Sequence, residues 1–421
     1  MLDSSRDRGV VRILHLADVH LDTAFAARDE LLRQRLREAT RQALEAAVEA
    51  ALQRSADAVL IAGDLFDSQR LSLTTERFLA RVLKRLEAAG IPVFYATGNH
   101  DPGQGPILRD KMAWPGNVTV FADPQPRTVP LNNPQGRQIA WITGAGHLQE
   151  HEERNLARTF PRPRTDLPHL AVLHSQVSSS AGHAEHERYA PCSELDLQRS
   201  GYAYWALGHV HQRQRISERV PAWYPGNIQG RHPGEHGLKG CLWAEIGPHG
   251  PERLEFIPLG PLVWHWLEMS CPQNVVSLDR MVAALAEEVR SRASLDGGRD
   301  HLIRLDLKGQ SPRGADLGHK DTLDELTEVL QAELGVHWLE VRSRGLVQPV
   351  DLEAFQGSAT TLGEALTIVE ELRQDPDRIE SFPDLTLAGP DRAEDRAAYV
   401  REVLQGMEEE LAAWVVSRTK A

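Results

Sequence analysis

The chain has few cysteines and no long apolar run. Its three cysteines, at positions 192, 241 and 271, have no paired spacing, which argues against a disulfide framework or a cysteine-bound zinc. No segment of about 18 consecutive apolar residues is present, and the polar segment 1–10 lacks the apolar centre of a signal peptide. We therefore expect a protein of the reducing cytoplasm with no membrane partner.

The chain also lacks an excess of basic residues, although its charge is unevenly distributed. The net charge is −13 over 421 residues. Residues 321–421 contain 22 acidic and 9 basic residues, whereas residues 1–320 contain 38 of each. The neutral part has arginine patches that are able to meet phosphates, although the first patch would also suit a solvent-exposed helix face. The patches are Arg33, Arg35, Arg37 and Arg41, then Arg213, Arg215, Arg219 and Arg231.

Hydrophobic periodicity predicts a chain of three parts. Residues 10–261 begin with three strand patterns separated by two helix patterns, which indicates a parallel sheet with right-handed crossovers. Strands with short loops follow, and two mixed sheets packed face to face, with helices outside, would accommodate them. Residues 262–345 are predicted to form a smaller α/β domain, and residues 346–421 an acidic helical segment with apolar stripes.

Five short polar segments follow predicted strands in a fixed order. In an open α/β sheet, functional groups gather beyond the carboxyl ends of the strands. Each segment alone has an ordinary structural explanation, such as a turn. The complete ordered set, however, supplies enough oxygen and imidazole ligands for two adjacent divalent metals. The segments are Asp18-Val19-His20, Gly63-Asp64, Gly98-Asn99-His100, His174 and Gly208-His209-Val210-His211.

The types of ligand indicate both the metal and the reaction. Mixed imidazole and carboxylate ligands suit Mn, Fe or Zn better than Mg or Ca. Two metals about 3.5–4 Å apart are able to clamp an in-line phosphoryl displacement, with a water between them as the nucleophile. We therefore expect two divalent ions, with Mn, Fe and Zn as the candidates, and the hydrolysis of a phosphoester.

The five segments together resemble the signature of the calcineurin-like metallophosphoesterases. The resemblance implies an α/β fold in the form of a four-layer αββα sandwich. It also implies that His100 binds neither metal and faces the substrate phosphate. A proton donor at this position needs an orienting acceptor, and Asp67 or Asp101 would serve. The implied ligands are Asp18, His20, Asp64 and His211 for one metal, and Asp64, Asn99, His174 and His209 for the other.

A narrower resemblance is to the SbcD/YhaO-type DNA exonuclease subunits. It rests on Gly63-Asp64-Leu65-Phe66-Asp67 and on the stretch Trp223–His232, which is followed by Gly234-Glu235. The resemblance implies a DNA repair exonuclease or endonuclease that uses manganese and has a capping domain at 262–345. It further implies that residues 346–421 dock on an SbcC-like coiled-coil ATPase, with homodimerisation or packing on the same chain as the alternatives. The candidate DNA contacts are Arg213, Arg231 and His232.

The sequence leaves several alternatives open. The chain would also suit a phosphodiesterase or phosphatase of small nucleotides, or a scaffold that binds DNA ends and has only secondary nuclease activity. His183 and His186 offer a third metal site, although a surface loop is the favoured interpretation. Trp264 and Trp266 share one face of a predicted strand, and we predict that they lie in the core of the capping domain rather than stack on bases.

Overall fold

The computed structural model describes residues 9–25, 30–67, 71–106, 113–164, 166–180, 189–272, 275, 277–295, 298–314, 316–347, 352, 354–381, 393–408, 411, 412, 414 and 415. His183 and His186 lie outside these residues. The chain divides into two compact units. Unit 1 comprises Met1–His265 and Leu295–Leu302, and unit 2 comprises Trp266–Ser294 and Ile303–Ala421. The predicted boundaries near residues 261 and 345 stay predictions.

Unit 1 contains two six-stranded sheets. Their strands are β1 (Val11–Leu16), β2 (Ala58–Ala62), β3 (Val93–Ala96), β4 (Val118–Phe121), β5 (Arg127–Asn132), β6 (Gln138–Gly144), β7 (His169–His174), β8 (Tyr204–Gly208), β9 (Gln214–Ser217), β10 (Val220–Tyr224), β11 (Gly240–Gly247) and β12 (Gly250–Pro258). The next strand, β13 (Leu262–Ser270), begins in unit 1 and continues in unit 2. The helices are α1 (Glu30–Gln53), α2 (Leu73–Ala88) and α3 (Glu194–Ser200).

Both sheets contain four adjacent parallel strands, with antiparallel strands at one edge of the first sheet and at both edges of the second. The first sheet has the order β12-β11-β1-β2-β3-β4, and its last four strands are parallel. The second has the order β5-β6-β7-β8-β10-β9, and the four strands from β6 to β10 are parallel. The parallel strands therefore end at common edges, which is where the polar segments of the sequence lie.

Three apolar clusters define the layers of unit 1. One cluster contains Ile13 and Leu60 of the first sheet together with Ile142 and Val172 of the second, so it fills the space between the sheets. A second cluster joins the other face of the first sheet to α1 and α2. A third joins the other face of the second sheet to α3 and the short 3-10 helix Leu156–Thr159. The predicted four-layer αββα sandwich is therefore confirmed.

The helices of the first outer layer form where the sequence pattern predicts them. In α1 the buried residues recur every three or four positions, as in Leu32, Leu36, Ala39 and Ala43, and this spacing places them on one face. Helix α2 begins after Ser72, whose hydroxyl accepts a hydrogen bond from the backbone N–H three residues later. These two helices carry the chain between the parallel strands of the first sheet.

The described residues of unit 2 form a three-stranded sheet and four α-helices. The sheet has the order β13-β14-β15, and the pairs α4/α5 and α6/α7 are each packed together. The pair α6/α7 closes on a small apolar cluster that includes Val369, Leu372 and Val400. The elements are β14 (Asp300–Gln310), β15 (Trp338–Val347), α4 (Leu278–Arg292), α5 (Lys320–Leu334), α6 (Thr361–Gln374) and α7 (Ala393–Val403).

Some local features of the structure were not predicted from the sequence. The short strands β4, β5 and β9 have partly exposed residues and no apolar run, so they do not stand out in the sequence. In the predicted helical segment 346–421, helix α7 ends at Val403 and Gly406 has a φ of +80°. Residues 407, 408, 411, 412, 414 and 415 are helical again. Trp264 is buried, but Trp266 is 42 % exposed, so only the first tryptophan lies in a core.

No helix in the described part of the chain is long and apolar enough to cross a membrane.

Candidate metal centre

The polar segments meet because the strands that precede them end side by side. Strand β1 leads to Asp18 and His20, and its neighbour β2 leads to Asp64. In the second sheet, β7 ends in His174, and its neighbour β8 leads to His209 and His211. Strand β3 leads to Asn99 and His100. All of the sequence-predicted ligands therefore arise at one end of the two packed sheets.

The loops that carry the ligands have an unusual backbone. Asp18, His20 and Asp64 each have a φ of +51°, and His209 has a φ of +105°. Side chains other than glycine rarely adopt this region, and such strain is found mostly at functional sites. Hydrogen bonds hold the strained loops in place: the N–H of His20 donates to the carbonyl of Asp64 at 2.9 Å, and the N–H of His209 donates to Asp18 Oδ1 at 3.0 Å.

The glycines of the segments are needed for space. A Cβ on Gly63 would overlap the His174 ring, and a Cβ on Gly98 would overlap the Asp64 carboxylate. A Cβ on Gly208 would overlap the carbonyl of Ala62. A side chain in place of any of these three glycines would therefore overlap a ligand side chain or the backbone beside it.

The first group of predicted ligands converges on a small volume. His20 Nε2 lies 3.2 Å from His211 Nε2 and 3.7 Å from Asp64 Oδ2. His211 Nε2 lies 3.7 Å from Asp18 Oδ1. Ligand atoms of Asp18, His20 and His211 all lie within 4.8 Å of one another. These distances suit side chains that coordinate one cation.

The second group lies directly beside the first. His174 Nε2 is 3.0 Å from Asn99 Oδ1 and 3.4 Å from Asp64 Oδ2. The ring centroid of His209 is 5.2 Å from that of His174. Asp64 approaches both His20 and His174, which is the position that the family resemblance implies for a bridging ligand.

Hydrogen bonds on the far side of two imidazoles set their tautomers. His174 Nδ1 lies 2.9 Å from the carbonyl oxygen of Ala62, and His211 Nδ1 lies 2.7 Å from Glu235 Oε1. Each Nδ1 must carry the proton to donate these bonds, so each Nε2 has a free lone pair. The Nε2 of His174 then faces Asn99 Oδ1, with two acceptors 3.0 Å apart. A cation between them would satisfy both.

Burial makes the donor set suitable for divalent cations. Asp18 and Asp64 are 1 % and 2 % exposed. Burial, reinforced at Asp18 by the charge of Asp64, raises the pKa of both carboxyls. Burial also lowers the pKa of His20 and His174, which favours the neutral imidazole that binds metals. Carboxylates and neutral imidazoles that are desolvated together need a positive charge, and two divalent ions would supply it.

His100 lies at the rim of the centre. Its side chain is 42 % exposed, and its Nδ1 lies 3.5 Å from Asp67 Oδ1. The same Asp67 oxygen lies 2.8 Å from His20 Nδ1, at an angle outside hydrogen-bond geometry. Burial raises the pKa of Asp67, and the positive charge of Arg231 opposes that rise. Asp67 is therefore the acceptor placed to orient His100.

Asp101, the other acceptor that the sequence offers for His100, has different neighbours. Its carboxylate accepts hydrogen bonds from the backbone N–H groups of Gly98, Leu65 and Phe66 at 2.7, 2.5 and 3.2 Å. Burial, and then the charge of Asp64, raise its pKa to about 7. The geometry gives Asp101 the task of holding the ligand loops after β2 and β3 together.

The three candidate DNA contacts have unlike surroundings. His232 is 60 % exposed and lies 3.5 Å from Glu235. Arg213 stacks on the ring of Phe256, with its guanidinium carbon 4.0 Å from the ring centroid. Arg231, in contrast, is largely buried in ion pairs with Asp67 and Glu235, at 3.2 and 3.0 Å. Its guanidinium therefore faces the interior of the centre.

The sequence-based reasoning missed functional neighbours of the ligands. Glu235 is buried on His211; burial alone would raise its pKa, but the charge of Arg231 holds it well below its usual range. His147 is buried and its Nε2 lies 2.8 Å from the backbone carbonyl of His174. The ring of Tyr189 packs edge-on against His209. In the sequence, Glu235 stood out only as part of the stretch that follows Trp223. No feature of the sequence connects His147 or Tyr189 to the ligands.

The arrangement of the candidate ligands agrees with the family of proteins to which the chain is similar. Residues 11–213 match the family model of calcineurin-like phosphoesterases. The chain is 34 % identical over 327 residues to the "Uncharacterized metallophosphoesterase YhaO" of Bacillus subtilis, across 76 % of this chain and 77 % of that protein. The chain belongs to the calcineurin-like metallophosphoesterase family. It is therefore a metal-dependent hydrolase of phosphoesters, and its family uses a binuclear divalent metal centre.

Other similarities are more partial. The chain is 34 % identical over 230 residues to the DNA double-strand break repair protein Mre11 of Aeropyrum pernix, which covers 51 % of this chain and about half, 53 %, of that protein. Among solved structures, a dimetal phosphatase from Danio rerio matches 59 % of this chain and 99 % of that chain, at 13 % identity and a TM-score of 0.35.

Proposed function

We propose that this protein is a manganese-dependent DNA exonuclease that cleaves phosphodiester bonds by a two-metal mechanism in DNA repair. The observation that carries the proposal is the exposed His100 beside a buried set of metal ligands, because a long substrate is able to reach a rim residue without entering a closed pocket. The similarity to a DNA double-strand break repair protein supports DNA as the substrate.

The side chains divide the chemistry between them. Asp18, His20 and His211 would hold one ion, Asn99, His174 and His209 the other, and Asp64 both. Two bound divalent ions lower the pKa of a water and neutralise charge on the phosphate. His100 is placed to stabilise the transferring phosphate or to protonate the leaving oxygen. Asp67, at 3.5 Å, would keep that imidazole oriented.

Exposed groups near the centre would bind the DNA backbone. Arg213 and His232 flank the last metal motif, and Arg213 keeps its charge while its guanidinium stacks on Phe256. In the first arginine patch, Arg33 and Arg35 are paired with Glu30 and Asp300, so this patch contributes less positive charge than its sequence suggests. Binding to phosphates would weaken as salt increases.

Residues 346–421 would dock on a partner protein of the cytoplasm. This segment carries much of the acidic excess of the chain, which makes DNA a poor partner for it. The apolar stripes of α6 and α7 pack against each other, but Ile368 of α6 and Val403 of α7 are exposed. Exposed apolar residues on a helix suit a groove of another protein. We propose the coiled-coil base of an SbcC-like ATPase as the partner, with a homodimer as the competing outcome.

Calorimetry with the ATPase should show binding by the full chain and weaker binding by residues 1–345; equal affinities would refute the docking role.

One experiment separates the proposed function from its alternatives. Purified protein with Mn²⁺ is given a labelled linear duplex and, separately, a panel of small nucleotides and cyclic nucleotides. We expect the duplex to be degraded from its ends, and His100→Ala to abolish the degradation. Hydrolysis of the small nucleotides with an intact duplex would establish a nucleotide phosphodiesterase instead. Tight end binding without metal-dependent cleavage would establish a scaffold.

A further inference from the structure

Arg231 connects the surroundings of two histidines with different proposed tasks, His100 at the substrate and His211 at the metal. Its Nη1 donates to Asp67 Oδ1 at 3.2 Å, and its Nη2 donates to Glu235 Oε1 at 3.0 Å. Asp67 is the carboxylate beside His100, and Glu235 is the carboxylate on His211. A single buried guanidinium therefore connects the substrate-facing side of the centre to its metal-holding side.

Glu235 is completely occupied by its neighbours. Its Oε2 accepts from the backbone N–H of Arg231 at 2.8 Å and from Asn227 Nδ2 at 2.7 Å. Its Oε1 accepts from Arg231 and lies 2.7 Å from His211 Nδ1. A carboxylate fixed by this many donors has one orientation, and it imposes that orientation on the His211 ring.

Arg231 also approaches His211 without forming a hydrogen bond to it. Arg231 Nη2 lies 3.1 Å from His211 Nδ1, but a guanidinium has no acceptor and the same Nδ1 is closer to Glu235 Oε1. The proton on Nδ1 therefore belongs to the bond with Glu235, and the two donors approach each other because both reach the same oxygen. This arrangement leaves His211 Nε2 free to face His20 Nε2 at 3.2 Å.

We propose that Arg231 and Glu235 are positioning residues of the metal centre: Glu235 fixes the tautomer and ring of His211, and Arg231 balances the charge of Glu235 while holding Asp67 beside His100. The proposal rests on the proposed ligand role of His211. It is an alternative to the expectation that Arg231 binds DNA, because a guanidinium held by two carboxylates is less available to a phosphate than a free one.

The test measures manganese binding as well as catalysis. Mn²⁺ is titrated into metal-free full-length protein by calorimetry, and hydrolysis of bis(p-nitrophenyl) phosphate is followed, since this diester is too small to reach distant DNA contacts. We expect Glu235→Gln and Arg231→Gln each to weaken Mn²⁺ binding by about 10–100-fold, the usual effect of losing a group that supports a metal ligand. Arg231→Gln should also lower kcat more than it raises KM. The matched control is Arg253→Gln, which removes an exposed arginine paired with Glu255 and should resemble the wild type.

The double variant Arg231→Gln/Glu235→Gln tests the coupling directly. The double variant leaves only the Asp67 carboxylate without the arginine, whereas Arg231→Gln alone leaves both Asp67 and Glu235 without it. The double variant should therefore lose less Mn²⁺ affinity than the product of the two single losses. A loss equal to that product would overturn the proposed charge balance. Wild-type Mn²⁺ affinity in both single variants would overturn the proposal as a whole.

A conservative variant covers the case in which the glutamine variants do not fold. Arg231→Lys keeps the charge but not the forked geometry, and it should weaken Mn²⁺ binding by about tenfold; unchanged affinity and kcat would overturn the proposal. Two further results identify a failure elsewhere. A His211→Ala protein that binds Mn²⁺ as the wild type does would refute the ligand role itself. A wild-type protein that hydrolyses the small diester but not DNA would refute only the proposed substrate.

Discussion

The centre has a buried floor and an exposed rim that use similar side chains in opposite surroundings. The floor consists of Asp18, Asp64 and His174, which are almost completely removed from solvent. The rim consists of His100 and His232, whose side chains are 42 % and 60 % exposed. Floor residues are held by backbone hydrogen bonds and strained loops, whereas rim residues have one or two neighbours and open space.

This difference separates binding a cation from meeting a substrate. A carboxylate in the floor has lost its water, so it gains most from a metal ion and least from a passing substrate. An imidazole in the rim keeps its hydration and its ability to exchange a proton with a substrate oxygen. The same residue type therefore has a different task according to its burial, and substitutions in the two regions should have different consequences.

The largest effect is expected in the floor. Asp64→Ala removes the carboxylate shared by both proposed ions, so Mn²⁺ binding should be lost and hydrolysis should fall by about 10⁵-fold or more, because the groups of a metal centre act as one unit. Calorimetry with Mn²⁺ and a diester assay measure the two losses, and the exposed Asp166→Ala serves as a control. Two equivalents of bound Mn²⁺ in the Asp64 variant would contradict the bridging role.

The next effect is expected in the rim. His100→Ala should lower the rate of hydrolysis by about 10²–10⁴-fold, the usual contribution of a positioned proton donor, while two equivalents of Mn²⁺ remain bound. Metal content is measured by elemental analysis of the same samples used for the rate. If the metal content fell together with the rate, His100 would belong to the floor.

Asp67 and Asp101 form a matched pair across the two regions. Asp101→Asn should lower the free energy of unfolding by about 1–3 kcal/mol, because a buried carboxyl that accepts from four backbone N–H groups is replaced by an amide. Asp67→Asn should leave that free energy nearly unchanged and lower kcat by about tenfold through His100. Urea unfolding and steady-state rates give the two numbers. An Asp101 variant of normal stability would show that the loops after β2 and β3 do not depend on this carboxylate.

The smallest effect is expected outside the centre. Arg213→Gln should reduce the slope of DNA affinity against salt by about one, as expected for the loss of one phosphate contact, with no change in Mn²⁺ affinity. Fluorescence anisotropy at several salt concentrations measures the slope. An unchanged slope would remove Arg213 from the proposed DNA surface.

Local features of the sequence were sufficient to predict most of the sandwich. The strands β1, β2, β3, β7 and β8 are fully buried apolar runs followed by polar residues, and α1 has a clear apolar stripe. Parallel strands separated by helices must place their carboxyl ends together. The order of the five segments was therefore enough to predict where the candidate ligands lie. The partly exposed edge strands β4, β5 and β9 have no such local signature.

Only the tertiary structure decided which side chains meet. Asp67 and Asp101 were equivalent candidates in the sequence, and the packing of the loops places one beside His100 and the other on backbone N–H groups. The sequence offered Arg231 only as a candidate DNA contact, and the structure pairs its guanidinium with Asp67, 164 positions away, and with Glu235. The periodicity of a segment predicts which face of its helix or strand is buried. A contact between distant residues depends instead on how the connecting loops pack against each other, and no single segment of the sequence determines that packing.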